Sequence, residues 1–258
     1  MSSSLSSSLL RLPDLIARRG NAAEYPENTL PALRSALELG AQYISFDVQL
    51  SSDRHPVLLN DSNLNRTAGL DRSALEMTSA ELAEIAVNET GRFAQRFTDV
   101  GIPTLTQAVS MLESHPAATA FVNLKRASLR TFGHEIVVRR VCDILKPVAR
   151  QCVLISFDLA AVHQVRKISS YRVGWVVTEY TSLSALKCEA LAPDYLFCDH
   201  QLLPGGASRL WRGPWRWGIY EVSNADLALE LTTRGARLVE TAALREMQRE
   251  FRGLRLRA

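Results

Sequence analysis

Paired cysteines, long apolar runs and a strong excess of charge are all missing from this sequence. The four cysteines, Cys142, Cys152, Cys188 and Cys198, form no C-x-x-C pair, which argues against a zinc site and favours reduced, mostly buried thiols. No run of about 18 apolar residues is present, so we expect no transmembrane helix. Residues 1–9 lack the charged flank and apolar run of a signal peptide. Together these features predict a cytoplasmic chain.

The charge of the chain is close to balanced. Its 30 lysines and arginines and 27 acidic residues give a net charge of +3. This excess is too small to indicate nucleic-acid binding, and we expect none. An anionic small molecule or a lipid headgroup is as suitable a partner. At 258 residues, with 47% hydrophobic and 22% charged residues, the composition predicts one globular domain over residues 1–258 with a sizeable core.

Nine short apolar runs predict β-strands, and helical patterns lie between most of them. The strands are predicted at 14–17, 43–48, 56–59, 118–124, 152–156, 173–177, 195–198, 217–222 and 237–240. Helix start signals at Asn28, Thr104, Asp158 and Asn224 precede helical patterns at 30–39, 105–113, 159–168 and 227–233. Strands and helices that alternate in this way indicate a parallel sheet.

One predicted strand cannot be parallel to the strand before it. Only the polar turn 51–55 separates residues 43–50 from 56–59, whereas a parallel crossover needs about a dozen residues or more. The run 56–59 must therefore return as an antiparallel hairpin. The eight remaining strands match a (β/α)8 TIM barrel, whose site lies at the C-terminal strand ends.

Two segments lie outside the predicted barrel. Residues 61–101, after the second strand, are expected to form a small insertion over the C-terminal face. A capping box at Thr78 and Glu81 predicts a helix there that runs to about Ile85. Residues 1–11 are expected to be a flexible N-terminus.

Several motifs, taken together, resemble the glycerophosphodiester phosphodiesterase family. They are Arg19-Gly20 with Pro26 to Thr29, Leu39-Gly40-Ala41, Phe46-Asp47-Val48, Pro56-Val57 with Asp61, Leu64 with Arg66-Thr67, Ile102 to Leu105, Lys125, and Ser156-Phe157-Asp158. Their order and spacing extend over nearly the whole chain. The resemblance implies an α/β barrel of the PLC-like phosphodiesterase type. It also implies phosphodiester cleavage with two histidines and a divalent metal, Ca or Mg.

Both histidines of the family are replaced in this chain. One should stand just before the Arg-Gly pair, where this chain has Arg18, and the other should precede Asp61, where it has Asn60. Arginine stays protonated at any ordinary pH, so it cannot exchange protons near neutrality as imidazole does. We therefore expect no catalytic group at either position.

Two of the three metal carboxylates implied by the resemblance are also replaced. The Glu-x-Asp pair of the second strand reads Ser45 and Asp47, and the carboxylate two residues before Lys125 is Asn123. Ca²⁺ takes about six to eight oxygen ligands. Asp47 is thus only a weak remnant of the site, and we expect metal binding to be weak or absent.

Positive charge remains at the predicted barrel mouth. Arg18, Arg19 and Lys125 face Asp47, and arginine and lysine bind phosphate without a metal. We predict a site for a phosphorylated or anionic small molecule, with Glu27 nearby and Tyr220 as an aromatic wall. In the alternative interpretation, Arg18 pairs with Asp47 or Glu27 and only fills vacated space.

Two further functions stay open. Glu179, His200 and Glu221 follow predicted strand ends, as do Asp199 and Glu240, so a rebuilt acid and base could sustain a phosphoric diester hydrolase acting on glycerophosphodiesters or related lipids. A structural or interaction scaffold is the other alternative. Fold resemblance alone does not choose among these functions.

The segment 209–217 alternates aromatic residues with arginines. Trp211 and Trp215 with the nearby arginines suit a peripheral contact with an anionic membrane surface. In the alternative, the rings pack on the barrel and the arginines stack over them. The sequence does not decide the oligomeric state.

Overall fold

The computed structural model describes residues 12–206 and 208–256. The strands are β1 Asp14–Ala17, β2 Tyr43–Leu50, β3 Pro56–Leu58, β4 Thr119–Leu124, β5 Cys152–Ser156, β6 Arg172–Val177, β7 Tyr195–Asp199, β8 Arg216–Tyr220 and β9 Leu238–Thr241. The helices are α1 Leu30–Glu38, α2 Asn65–Ala68, α3 Ser79–Ala83, α4 Thr90–Phe93, α5 Leu105–Glu113, α6 Arg126–Phe132, α7 His134–Leu145, α8 Leu159–Ile168, α9 Ser182–Leu191, α10 Ala225–Arg234 and α11 Leu244–Arg255. The flexible N-terminus predicted at residues 1–11 lies outside the described residues.

Eight parallel strands close into a barrel, as the sequence predicts. The sheet runs β1-β9-β8-β7-β6-β5-β4-β2, and β1 pairs with β2 to close it. Strand β3 is antiparallel to β2, with Val48 opposite Leu58. The short turn between these two strands leaves no room for a crossover, so the hairpin prediction is confirmed.

Side-chain alternation divides each strand between the barrel interior and the helices. The interior holds an apolar cluster of Ile16, Phe121, Val153, Ile155, Val176, Tyr195, Phe197 and Leu238. Two residues further along the chain, on the same side of the strands, Asn123 follows Phe121 and Glu240 follows Leu238. Apolar side chains therefore fill the barrel interior, and polar side chains join them only at the C-terminal ends of the strands.

Most of the predicted helix caps are confirmed. Thr104, Asp158 and Asn224 each accept a hydrogen bond from a backbone N–H in the first turn of the following helix. For α1 the prediction of Asn28 is wrong, because the N-cap is Thr29, which accepts from the Ala32 N–H. Asn28 has φ 58° and its side chain is bonded to Asp47 instead.

The segment 61–101 holds the short helices α2, α3 and α4. The capping box of Thr78 and Glu81 is present, and its helix ends at Ala83. The segment is tied to the loop after β1 by Arg66, which pairs with Glu27 at 2.6 Å. It therefore supports the loop that carries Arg18 and Arg19.

The structure also bears on the predictions of buried cysteines and of no transmembrane helix. The four cysteines lie within the described residues, where they are unpaired and buried. Over residues 12–206 and 208–256, no helix combines the length and the apolar content needed to cross a membrane.

Candidate functional site

A cavity of about 250 Å³ opens at the C-terminal ends of the barrel strands. Its polar side is formed by Arg18 and Arg19 after β1, Ser45 and Asp47 on β2, Asn60 after β3, Asn123 and Lys125 at the end of β4, and Glu240 on β9. The structure thus brings into one cavity every family position that the sequence analysis placed there.

Asp47 lies at the centre of the polar side and is bound by four donors. Its Oδ1 accepts hydrogen bonds from Asn123 Nδ2 at 2.8 Å and from Lys125 Nζ at 3.3 Å. Its Oδ2 lies 3.1 Å from Asn28 Nδ2 and 2.8 Å from Arg19 Nε. Burial alone would raise the pKa of Asp47, but Lys125, Arg19 and the two amides hold that pKa below its ordinary value. The carboxylate therefore has its acceptor positions filled by groups of the chain itself.

Arg19 is held on three sides. Besides Asp47, its Nη1 donates to Glu27 Oε2 at 2.8 Å and its Nη2 donates to Asn60 Oδ1 at 3.0 Å. Burial would lower the pKa of Arg19, but Asp47 and Glu27 raise it above its ordinary value. Glu27 lies behind Arg19, outside the cavity lining, and pairs with Arg66 as well. Arg19 therefore joins β2, the loop after β1 and the segment after β3.

Arg18 occupies the position of the first missing histidine and faces the last two strands. Its Nη2 lies 2.6 Å from Glu221 Oε1 and its Nε lies 3.9 Å from Glu240 Oε2. The alternative prediction that Arg18 pairs with Asp47 or Glu27 is wrong. Both of those carboxylates are bound by Arg19.

Glu240 brings a second buried carboxyl group to the cavity. Its Oε1 accepts a hydrogen bond from Ser45 Oγ at 2.5 Å. Burial raises the pKa of Glu240, and Arg18 and the Ser45 hydroxyl offset this only in part. The sequence predicts three cations around Asp47 alone, whereas the cavity holds three cations and two carboxyl groups. Alternation along β9, which puts Glu240 on the same side as Leu238, was the signal that could have revealed this.

Lys125 and Arg18 are less fully engaged by the chain than Arg19. Two N–H groups of Lys125 Nζ reach Asn60 Oδ1 at 2.7 Å and Asp47 Oδ1 at 3.3 Å, and the third has no partner among the described residues. The side chains of Arg18 and Glu221 are 24% and 44% exposed. Exposed ion pairs contribute only about 0 to 1 kcal/mol. Solvent therefore reaches the ion pair of Arg18 and Glu221, unlike the buried pair of Arg19 and Asp47.

The residues at the barrel mouth do not fit a divalent cation. Hard cations need several oxygen ligands and negative charge, yet Asp47 is saturated by four donors and the Ser45 hydroxyl donates to Glu240. Asn123 turns its nitrogen to Asp47, and its Oδ1 has no partner among the described residues. In the part of the chain that the structure describes, no group of three or more His, Cys, Asp or Glu side chains could hold a metal ion.

The rebuilt acid and base suggested by the sequence are not gathered in the cavity. His200 begins a short turn of 3-10 helix after β7, and Glu179 is exposed beyond β6. Neither belongs to the cavity lining, and Glu221 reaches the site only through Arg18. Tyr220 does line the cavity, with its ring 6.4 Å from that of Phe157.

The tryptophans of the segment 209–217 pack inward. Trp215 is buried, and Trp211 stacks on Tyr180 with ring centroids 4.0 Å apart. Trp217 donates from Nε1 to the Trp211 carbonyl at 2.9 Å. A membrane contact through Trp215 would thus require this segment to open, and the residues that it presents fully to solvent are Arg209, Arg212, Gly213 and Pro214.

Three residues around the cavity have unusual backbone conformations. Arg19, Asn28 and Glu221 have φ values of 53°, 58° and 61°. Such left-handed conformations cost of order 1–3 kcal/mol in a residue other than glycine. Each of the three side chains contacts Asp47 or Arg18. The contacts with Asp47 and Arg18 therefore stabilise these three backbone conformations.

The sequence is similar to that of one enzyme family over most of the chain. The model of the family described as glycerophosphoryl diester phosphodiesterase matches residues 19–203. Human glycerophosphodiester phosphodiesterase 1 is 34% identical over 110 residues, which are 43% of this chain and 33% of that protein. The probable glycerophosphodiester phosphodiesterase 1 of Mycobacterium tuberculosis is 31% identical over 165 residues, 60% of each chain. The alignments thus span from a third to three fifths of these relatives.

Solved structures share the fold over nearly the whole chain. A phosphodiesterase of Oleispira antarctica, in complex with the product sn-glycerol-3-phosphate, superimposes with a TM-score of 0.80 at 22% identity, covering 93% of this chain and 97% of that one. The glycerophosphodiester phosphodiesterase of Thermotoga maritima gives a TM-score of 0.69 at 21% identity, covering 91% and 96%. Both likenesses confirm the barrel.

Proposed function

Because the chain belongs to the glycerophosphoryl diester phosphodiesterase family, we propose that it is a catalytically degenerate member. It binds a phosphorylated or anionic small molecule at the barrel mouth without a metal. We place this function in the cytoplasm, as the sequence predicts, and the buried, unpaired cysteines support that location.

The main support for this proposal is that donors of the chain itself fill the acceptor positions of the Asp47 carboxylate. Arg19 and Lys125, with two amides, surround the carboxylate at the family's metal position. A divalent cation would have to displace these donors and would lie beside three cationic side chains. Repulsion between like charges is stronger in a partly buried site than in water and disfavours the metal.

The loss of proton-transfer groups supports the same function. Hydrolysis needs one group that takes a proton from the nucleophile and one that gives a proton to the leaving alkoxide. Among the described residues of the cavity lining there is no histidine. Arg18 stays protonated and the Asn60 amide does not titrate. Both former histidine positions can therefore only orient groups by charge and hydrogen bonding.

An anion has a suitable place beside Arg18 and Lys125. Arg18 offers a planar guanidinium fork, and Lys125 offers the N–H that is not used by Asn60 or Asp47. The relative from Oleispira antarctica holds sn-glycerol-3-phosphate, which makes this phosphate monoester a natural first probe.

A hydrolase with a rebuilt site is the second candidate, and one observation favours it. Glu240 is a buried carboxyl group in the cavity whose pKa is raised, as expected of a general acid. Its Oε1 is engaged by Ser45, however, and His200 and Glu179 lie outside the lining. The geometry therefore supports ligand binding better than proton transfer.

Titration calorimetry with sn-glycerol-3-phosphate in the presence of EDTA tests the proposal. We expect binding by the wild-type protein and a loss of affinity of about tenfold or more in Arg18→Met and in Lys125→Met, since a hydrogen bond to a charged group contributes about 1.5–3 kcal/mol. Arg130→Met, which removes an exposed arginine of α6, is the control for the change in net charge. Binding that appears only when Ca²⁺ or Mg²⁺ is added would contradict metal-independent recognition.

A further inference from the structure

The cavity has two chemically different sides. The ends of β1, β2, β4 and β9, together with Asn60 after β3, supply the charged and amide groups described above. The ends of β5, β6 and β7 supply Ile155, Val176 and Phe197, and the rings of Phe157 and Tyr220 stand beside them. A ligand that fills the cavity must therefore place an apolar part against β5 to β7 while its anionic part lies on Arg18 and Lys125.

We infer that the ligand is a compact amphiphile, a phosphate monoester that carries a small apolar group such as a ring or a branched alkyl group. This ligand class rests on the anion site proposed above and narrows it. Ile155, Val176 and Phe197 belong to the apolar cluster that fills the barrel interior, so they form a fixed floor.

The hydroxyl groups of a glycerol moiety would fit the apolar side poorly. They would lose hydrogen bonds to water against the carbon surface of Ile155, Val176 and Phe197, and burying a hydroxyl without a partner is unfavourable. An apolar group gains from leaving water at the same place. The aromatic pair of Phe157 and Tyr220, with centroids 6.4 Å apart at 67°, adds ring surface for a planar group.

The size of the cavity limits the apolar part. Its volume is about 250 Å³. This is below the usual range of drug-sized sites, about 300–1,000 Å³. A headgroup with one small ring fits, whereas a long acyl chain would have to leave the cavity.

Affinities for three probes in the presence of EDTA test this inference by calorimetry. The probes are inorganic phosphate, sn-glycerol-3-phosphate and phenyl phosphate. We expect phenyl phosphate to bind about tenfold or more tighter than sn-glycerol-3-phosphate, in line with the 10–200-fold that small apolar differences produce in hydrophobic pockets.

Two variants locate the preference in the apolar side. Val176→Thr keeps the side-chain shape and adds a hydroxyl to the floor, and Phe157→Leu removes the aromatic face at the rim. Both should lower the preference for phenyl phosphate severalfold. Val176→Thr should also leave the affinity for inorganic phosphate unchanged. Because the Phe157 ring lies 5.9 Å from Lys125 Nζ, the preference of Phe157→Leu is measured relative to its own affinity for inorganic phosphate. Val153→Thr is the matched control, because Val153 belongs to the same interior cluster without lining the cavity. Thermal unfolding of each variant verifies that it is folded.

The outcomes separate this inference from the function on which it depends. Equal affinity for phenyl phosphate and sn-glycerol-3-phosphate would overturn the inference of an amphiphilic ligand but not the proposed anion site. A preference that persists unchanged in both Val176→Thr and Phe157→Leu would overturn it as well. If none of the three anions binds, the anion site itself is refuted and the inference falls with it.

Discussion

Replacing Asp47 by asparagine should destabilise the fold strongly, although the change in shape is small. The carboxylate has two donors on each oxygen, from Asn123 and Lys125 on one side and from Asn28 and Arg19 on the other. An asparagine offers one oxygen and one NH2 group, so one pair of donors would face another donor. Arg19 and Lys125 would also lose the negative charge between them.

The size of the effect follows from burial. Breaking a buried ion pair by removing one partner costs about 3–5 kcal/mol. The lower end applies here, because the side chains of Arg19 and Lys125 are 16% and 18% exposed while that of Asp47 is 5% exposed. For a chain of this size, about 3 kcal/mol corresponds to roughly 6–12 °C in melting temperature. Urea unfolding followed by circular dichroism measures the free energy directly.

The pH dependence gives this prediction a second, independent readout. The pKa of Asp47 is lowered in the folded state. Its stabilising contribution is therefore complete above the ordinary aspartate pKa of about 4 and is lost as the pH falls through the lower native pKa. The gap between wild type and Asp47→Asn should narrow below about pH 4. Asp99→Asn, at an exposed position, is the control. A stability within about 1 kcal/mol of wild type at pH 7, or a gap that does not change with pH, would refute the reasoning.

Three further perturbations have defined outcomes. Glu240→Gln should raise the stability at pH 7, because burial raises the pKa of this carboxyl and so penalises its ionised form, and the gain should disappear below the ordinary glutamate pKa of about 4.3 in urea titrations. Gly20→Ala should cost at least about 3 kcal/mol, since φ is +83° and an added Cβ would lie 2.5 Å from the Ala32 carbonyl carbon; chemical unfolding would show it. Ser45→Glu alone should lower the melting temperature by placing a second carboxylate beside Glu240, and Glu240→Thr in the same chain should recover most of the loss in a double-mutant cycle.

The sequence was sufficient for the fold because its strongest signals are local. The five-residue turn at 51–55 required a hairpin, and the side chains of Thr104, Asp158 and Asn224 marked helix starts correctly. The error at Asn28 has a physical reason. Its side chain gains more from the buried carboxylate of Asp47 than from a helix N–H, and the next residue, Thr29, was equally able to cap the helix.

The sequence predicted which residues lie in the site but not which side chains contact each other there. Motif positions and strand ends placed Arg18, Arg19, Asp47 and Lys125 together, because parallel strands bring their C-terminal ends to one face. Which carboxylate each cation meets depends on contacts between residues far apart in sequence. The hydrogen bond from Ser45 to Glu240 joins residues 195 positions apart, and no local pattern specifies it.

We propose that this barrel has lost the metal-dependent hydrolysis implied by its family. The most direct test of this claim is the release of sn-glycerol-3-phosphate from glycerophosphocholine by the purified wild-type protein, with Ca²⁺, Mg²⁺ or EDTA. We predict no release above the buffer rate under any of the three conditions. Release that requires a metal and disappears in Asp47→Asn, in protein shown to be folded, would contradict the claim.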